Sequence, residues 1–146
     1  MATELDGLEL RLFRVLARAH QAIMEQDRRN VRGFGLNLTE FAVLELLYHK
    51  GPHPLQQIGD KILITSGSIT YVINKLAGKG LVVRKASPDD GRVFFAALSD
   101  AGRALMDDVF PVHARNIAAM MGGLDDAEKL AAIALLKKLG LAVRGQ

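Results

Sequence analysis

Small hydroxyl, amide and cationic side chains are concentrated between residues 65 and 92 of the chain. Short hydroxyls and amides can hydrogen-bond the edges of nucleic acid bases, and cations can pair with phosphate oxygens. One group lies on a segment with helical spacing: Thr65, Ser66, Gly67, Ser68, Thr70, Tyr71, Asn74 and Lys75. A second group surrounds a charged turn further along: Arg84, Asp90 and Arg92. The chemistry that both groups could perform is recognition of a nucleic acid duplex.

The charge distribution favours the same chemistry. The whole chain has a net charge of only +3, but residues 61–92 contain six Lys and Arg against two Asp. Such an excess suits a polyanion-binding face, because each neutralised phosphate releases condensed counterions. The alternative from charge alone is an ordinary solvated surface.

Length and composition restrict the class of protein. The 146 residues, 49% of them hydrophobic and 24% charged, predict one globular domain. No apolar run approaches the roughly 18 residues of a membrane span, and the N-terminus lacks the pattern of a signal peptide, so we expect a cytoplasmic protein. Zero cysteines exclude disulfides, thiolate catalysis and cysteine-based redox sensing.

Catalytic and cofactor motifs do not occur in the sequence. It contains no G-x-S-x-G, no phosphate-binding glycine loop and no H-E-x-x-H. The sequence therefore predicts a binding protein rather than an enzyme, and no cofactor.

Apolar residues at three- and four-residue steps predict four helices in the first half of the chain. The first covers about residues 5–32. The second follows Thr39 as N-cap, and Pro54 is expected in the first turn of a short third helix. Thr65 is expected to cap a fourth helix. The apolar stripe of that helix consists of Ile69, Val72, Ile73 and Leu76.

The second half of the chain predicts a β-hairpin and two more helices. The runs LVVRKA (81–86) and RVFFAAL (92–98) flank SPDDG, which has the residues of a turn. Ser99 is expected to cap a fifth helix, bent at Pro111 and reaching Met121. A last helix begins near Asp125 and is expected to end at Gly140. This order predicts a mainly α chain with a small hairpin (α+β), a winged helix-turn-helix flanked by long helices.

The fourth helix and the hairpin are the predicted DNA-reading elements. About 100° of rotation per residue places Thr70, Tyr71 and Asn74 opposite the apolar stripe. The small turn at residues 65–68 can also offer backbone N–H groups to a phosphate. The alternative is that this turn is only a cap and the polar face is only solvated.

At the hairpin tip, Arg92 can enter the minor groove beside the helix. Asp90 would then orient a guanidinium, either that of Arg84 or that of Arg92. The alternative for Asp90 is a simple turn acid.

The segment ITSGSITYVINKLAGKGLVVRKASPDDGRVFFAALSDAG resembles the signature of the multiple-antibiotic-resistance regulator (MarR) family. The shared positions are Leu76 to Gly80 with Leu81, Val82 and Arg84, then Asp90 and Arg92, then Leu98, Ser99 and Gly102. Ala77 departs from the pattern, where an acidic residue is frequent. The wording TSGSITYV is similar to the branch of the family that responds to phenolic and quinone-type compounds.

This resemblance implies a homodimer on a palindromic operator. Residues 1–34 and 101–146 would form the dimerisation helices, and residues 35–100 the DNA-binding lobe. The sequence agrees, because the end segments hold more apolar surface than a small winged-helix core can cover. The implied function is a sequence-specific transcriptional regulator, most simply a repressor.

Members of the family commonly release DNA when a small, often aromatic, molecule binds between the dimer helices and the lobe. Four residues on the relevant helices are candidates to line such a site, or else pack in the core: Phe13, His20, Phe110 and His113. A metal-responsive regulator using His20, His49, His53 and His113 is one alternative, although His49 and His53 flank a Gly-Pro turn and do not form a ligand pair of familiar spacing. A non-specific DNA-bridging protein is another.

Overall fold

The computed structural model describes residues 7–62 and 66–145, without the side chains of residues 66 and 67. Over these residues the chain forms six helices and three short strands, which confirms the predicted fold class. Their bounds are α1 (Leu8–Arg32), α2 (Leu38–Lys50), β1 (His53–Pro54), α3 (Leu55–Ile62), α4 (Ser66–Gly78), β2 (Val82–Ala86), β3 (Phe94–Leu98), α5 (Asp100–Met120) and α6 (Asp126–Arg144). No helix within these residues is both long and apolar enough to cross a membrane.

The sheet has one strand more than the sequence predicts. Its order is β1-β3-β2, and both neighbours are antiparallel to the central β3. Pro54 pairs with Phe95 in β1, so its predicted place in the first turn of α3 is wrong. A proline has no N–H to donate, and an edge strand tolerates it. A strand of two residues is too short to leave a periodic pattern in the sequence.

Two predicted helix boundaries are also corrected. The N-cap of α2 is Asn37, not Thr39, because Asn37 and Glu40 form a capping box with N···O distances of 2.8 and 3.0 Å. The last helix continues through Gly140 to Arg144. A glycine inside a helix costs about 1 kcal/mol relative to alanine, which weakens a helix without ending it.

The core lies in the lobe formed by α2, α3, α4 and the sheet. The predicted stripe of α4 is confirmed, since all four of its apolar side chains are buried. It packs with apolar residues of the neighbouring elements: Val43, Leu44, Leu47, Ile58 and Val82. From α5, Met106 and Val109 join this core. In contrast, α6 has no buried residue.

The hairpin and α5 are joined at Ser99 and Gly102. The Ser99 hydroxyl donates to the carbonyl of Gly80 at 2.6 Å and accepts the N–H of Gly102 at 3.0 Å, so the predicted cap is confirmed. A Cβ at position 102 would collide with the carbonyl oxygen of Leu81. The start of α5 therefore depends on a glycine at this position.

We expect Gly102→Ala to lower the free energy of unfolding by about 1–3 kcal/mol, because the backbone of Leu81 has to move. Gly78→Ala is the matched control. Nothing lies within 4 Å of a Cβ at that position, and helix propensity predicts a change between zero and a gain of about 1 kcal/mol. Urea unfolding followed by circular dichroism measures both. If the two variants are equally stable, the close approach between position 102 and the carbonyl of Leu81 is unimportant for stability.

Candidate nucleic-acid interface

The two faces of α4 differ completely in exposure. Ile69, Val72, Ile73 and Leu76 are at most 8% exposed. The opposite face carries side chains that are all exposed: Ser68, Thr70, Tyr71, Asn74 and Lys75. Tyr71 stands out, with 68% of its surface accessible. A helix anchored on one side and polar on the other can be laid against a groove without disturbing the core.

The predicted turn at the start of α4 lies largely outside the described residues. Thr65 is not described, and of Ser66 and Gly67 only the backbone at the first positions of α4 is described. Their contribution to a phosphate site stays a prediction.

The strand β2 is linked to the polar face of α4 through Arg84. Its Nη1 donates to Oδ1 of Asn74 at 2.6 Å. Its guanidinium also lies over the ring of Phe94, 4.9 Å from the centroid. The hairpin and the helix are therefore connected on the exposed surface as well as through the core.

The hairpin tip presents Arg92 to solvent. Asp90 Oδ1 accepts the backbone N–H of Arg92 at 3.0 Å, and the carbonyl of Asp90 accepts the N–H of Val93 at 3.0 Å. Of the two roles considered for Asp90, the structure shows that of a turn acid. The reason is local, since a carboxylate two residues before an N–H closes an Asx turn. This bond to Asp90 fixes the backbone of Arg92, and the backbone in turn positions the Arg92 side chain.

A buried carboxylate fixes the other end of α4, and the sequence analysis did not identify it. Glu40 is 2% exposed, and its Oε2 accepts from Nζ of Lys79 at 2.8 Å. Nζ of Lys75 lies 4.0 Å from Oε1. Burial alone would raise the pKa of Glu40, but the hydrogen bonds from Lys79 and the Asn37 N–H, with the charges of both lysines, lower it overall. The spacing of Asn37 and Glu40 was a readable capping signal; the lysine contacts depend on tertiary packing.

Glu40→Gln should lower the free energy of unfolding at neutral pH by about 1–3 kcal/mol, because it removes a charged hydrogen bond to Lys79. A lowered pKa in the folded state stabilises the protein fully above the ordinary value of 4.5. This contribution is lost as the pH falls through the lowered value. Urea titrations at neutral and acid pH should therefore show the two proteins converging in acid. Asp60→Asn, at an exposed position of α3, is the control. If the difference in stability between the wild type and Glu40→Gln is the same at all pH values, the assignment is contradicted.

Two of the four candidate ligand residues lie together between the flanking helices and the lobe. His113 on α5 packs against Phe41 and Phe110, with centroids 4.6 and 6.0 Å away. Its Nδ1 lies 3.9 Å from Oδ1 of Asp27 on α1, and its Nε2 lies 3.9 Å from Oε2 of Glu45 on α2. Within the described part of the chain, Asp27 Oδ1 and His113 Nδ1 are buried without a hydrogen-bond partner.

The other two candidates lie elsewhere. Phe13 is 69% exposed and borders a groove between α1 and α6, while His20 is exposed on α1. At 1.5 Å per residue, Phe13 is about 21 Å along the helix from Asp27. The four residues therefore do not form one site within a single chain.

The histidines form no metal centre in the described residues. Neither residues 7–62 nor residues 66–145 bring three or more His, Asp or Glu side chains into an arrangement that could hold an ion. The ring nitrogen Nδ1 of His53 lies 2.7 Å from the carbonyl oxygen of Gly51, which ties it into the turn after α2.

The sequence and the fold both match known proteins of one family. Residues 36–94 match the MarR family. The HTH-type transcriptional regulator MhqR of Bacillus subtilis is 53% identical over 132 residues, which cover 90% of this chain and 91% of MhqR. BpsR of Bordetella bronchiseptica, whose DNA binding is regulated by 6-hydroxynicotinic acid, has a TM-score of 0.79 at 26% identity, covering 89% of this chain and 98% of BpsR.

A mutant of MarR from E. coli, solved in complex with operator DNA, has the same fold. Its TM-score is 0.82 at 19% identity, covering 94% of this chain and 99% of that protein. The winged-helix lobe with its flanking helices, and the high identity to MhqR over nearly the full length, both confirm the resemblance read from the sequence. The chain belongs to the MarR family of DNA-binding, HTH-type transcriptional regulators.

Proposed function

We propose that this protein is a homodimeric repressor that binds a palindromic operator and is released by a small aromatic effector. In each subunit α4 reads base edges in the major groove, and the β2–β3 hairpin places Arg92 in the adjacent minor groove. The observation that carries this proposal is the polar, exposed face of α4 next to a cationic hairpin, on a helix whose other face is buried. A dimer beside a promoter would exclude polymerase from the DNA that it covers.

Within this proposal, the residues that face DNA are those on the exposed side of α4 and on the hairpin. Ser68, Thr70, Tyr71 and Asn74 would contact bases, while Lys75, Arg84 and Arg92 would contact phosphates or the minor groove. Lys75 shares its charge with Glu40, so we expect it to contribute less than Arg92. Asp90 would act by holding the tip in its turn.

Dimerisation is supported by the apolar surface on α1 and α6. Six large side chains on α6 are at least 50% exposed: Leu130, Ile133, Leu135, Leu136, Leu141 and Val143. Leu12 and Phe13 on α1 are 55% and 69% exposed, and together with Leu136 and Val143 of α6 they border a groove of about 630 Å³ between the two helices. A monomer rarely exposes a large apolar patch, so an apolar groove of this kind marks a surface that a partner covers. A second copy of the chain would cover it and would set the two α4 helices about one DNA turn apart.

The effector site is proposed at the junction of α1, α2 and α5, where Asp27, Glu45 and His113 meet. Buried polar atoms are normally hydrogen-bonded. Asp27 Oδ1 and His113 Nδ1 have no hydrogen-bond partner among the described residues, so both could form hydrogen bonds with a small molecule. Phe41 and Phe110 supply aromatic surface beside them. An effector at this junction would change how the flanking helices sit against the lobe, and hence the spacing of the two α4 helices.

A release assay tests this function. The protein is bound to a fluorescent operator selected from random duplexes, and small phenols and hydroxylated aromatic acids, including 6-hydroxynicotinic acid, are titrated while anisotropy is followed. We expect at least one compound to release the operator and to raise the melting temperature of the free protein. Asp27→Ala should abolish both effects. A compound that releases DNA equally from Asp27→Ala would place the effector elsewhere.

A further inference from the structure

The carboxamide of Asn74 has a defined orientation. Oδ1 accepts from Nη1 of Arg84 at 2.6 Å. A guanidinium has donors and no acceptor, so the atom that faces it must be the oxygen. The Nδ2 donor of Asn74 is therefore left on the far side of the amide from Arg84.

Arg84 is itself held from two directions. In the sheet Arg84 lies opposite Ala96, which makes Phe94 its diagonal neighbour on β3. The guanidinium lies over the Phe94 ring, 4.9 Å from its centroid, and Phe94 is 41% exposed although it is a large apolar residue. The contact with the Phe94 ring and the bond to Asn74 restrain the guanidinium from two sides before DNA is present.

We propose that Arg84 is a specificity-determining positioning residue, which occupies the oxygen of Asn74 and leaves Asn74 to read DNA as a donor only. This inference rests on the proposed function, in which the exposed face of α4 meets base edges. An asparagine with both groups available reads adenine with two bonds, to N6 and N7. With its oxygen directed at Arg84, Asn74 can make only the bond to N7 of adenine, next to the N6 donor that it leaves unpaired, and it instead favours the acceptors N7 and O6 of guanine or O4 of thymine.

Arg84→Ala frees the oxygen and should change the base preference at one position of each half-site. We expect affinity for adenine at that position, relative to guanine or thymine, to rise by about tenfold. Lys85→Ala is the matched control, because Lys85 is an exposed cation on the same strand with its side chain on the opposite face. Lys85→Ala should lower the affinity for all duplexes by one common factor, because only a charge is lost, and it should leave the base preference unchanged.

Asn74→Asp separates the two groups of the amide. It keeps an acceptor for Arg84, so the melting temperature should be unchanged or higher. It removes the donor, so the preference for guanine or thymine at the same base pair should disappear. The measurement is the affinity of each protein for the selected operator and for a panel of its single-base variants at one salt concentration.

The outcomes are distinct. Shifts in Arg84→Ala and Asn74→Asp that map to the same base pair support the inference. A uniform loss for Arg84→Ala, like that of Lys85→Ala, overturns it and leaves Arg84 as a phosphate contact, with the proposed function intact. A wild-type protein that prefers no duplex overturns the proposed function and this inference with it.

Discussion

Arg92→Ala is expected to weaken operator binding by about 1–3 kcal/mol, or about 5- to 150-fold, without changing the oligomeric state of the protein. Arg92 is exposed at the tip of the hairpin, and its backbone is fixed by Asp90, so the guanidinium can enter a groove without a change of fold. The negative potential of a narrow minor groove makes a cation there more effective than one on an open surface. The loss should therefore exceed that of an ordinary surface cation.

Fluorescence anisotropy at several salt concentrations measures this effect. Removing one cation from a phosphate-lined groove should reduce the salt slope by about 1. Arg28→Ala, which removes an exposed cation from α1, is the control and should change neither quantity appreciably. Unchanged affinity of Arg92→Ala would remove the hairpin from the mechanism.

Leu136→Glu is expected to produce monomers and to abolish high-affinity operator binding. Leu136 is 51% exposed in the single chain and borders the groove between α1 and α6. A carboxylate buried there in a dimer would have to lose its water without a partner. A monomer can occupy only one half-site, so most of the affinity for the full operator would be lost.

Light scattering after size exclusion measures the mass, and anisotropy measures the binding. Lys138→Glu is the matched control, because it also places a glutamate on α6 at an exposed position that does not border the groove. Deletion of residues 124–146 should likewise give monomers or insoluble protein. A soluble dimer that survives this deletion would show that the interface lies elsewhere.

Much of the fold could be predicted because its signals are local. The stripe of α4, the SPDDG turn and the Ser99 cap each depend on residues a few positions apart. Features that depend on distant residues were missed. The strand β1 exists only through pairing with β3, and Glu40 meets Lys79 across 39 residues of sequence. No periodicity in the sequence encodes such contacts.

The candidate site divides in the same way. The exposed face of α4 follows from helical geometry, so its residues could be named from the sequence. The partner of Asn74 could not, because two elements must pack before Arg84 reaches it. Helical spacing predicts neighbours within one helix but not between helices. Phe110 and His113 lie one turn apart on α5 and pack near each other, whereas Phe13 and His20 lie on α1, away from them.

The affinity for a selected operator, compared with that for random duplex of the same length at the same salt concentration, tests the central claim most directly. If α4 reads base edges, the operator should bind on the order of a thousandfold more tightly or better. Equal affinity for both duplexes would contradict the claim and would indicate a protein that binds DNA only through its phosphates.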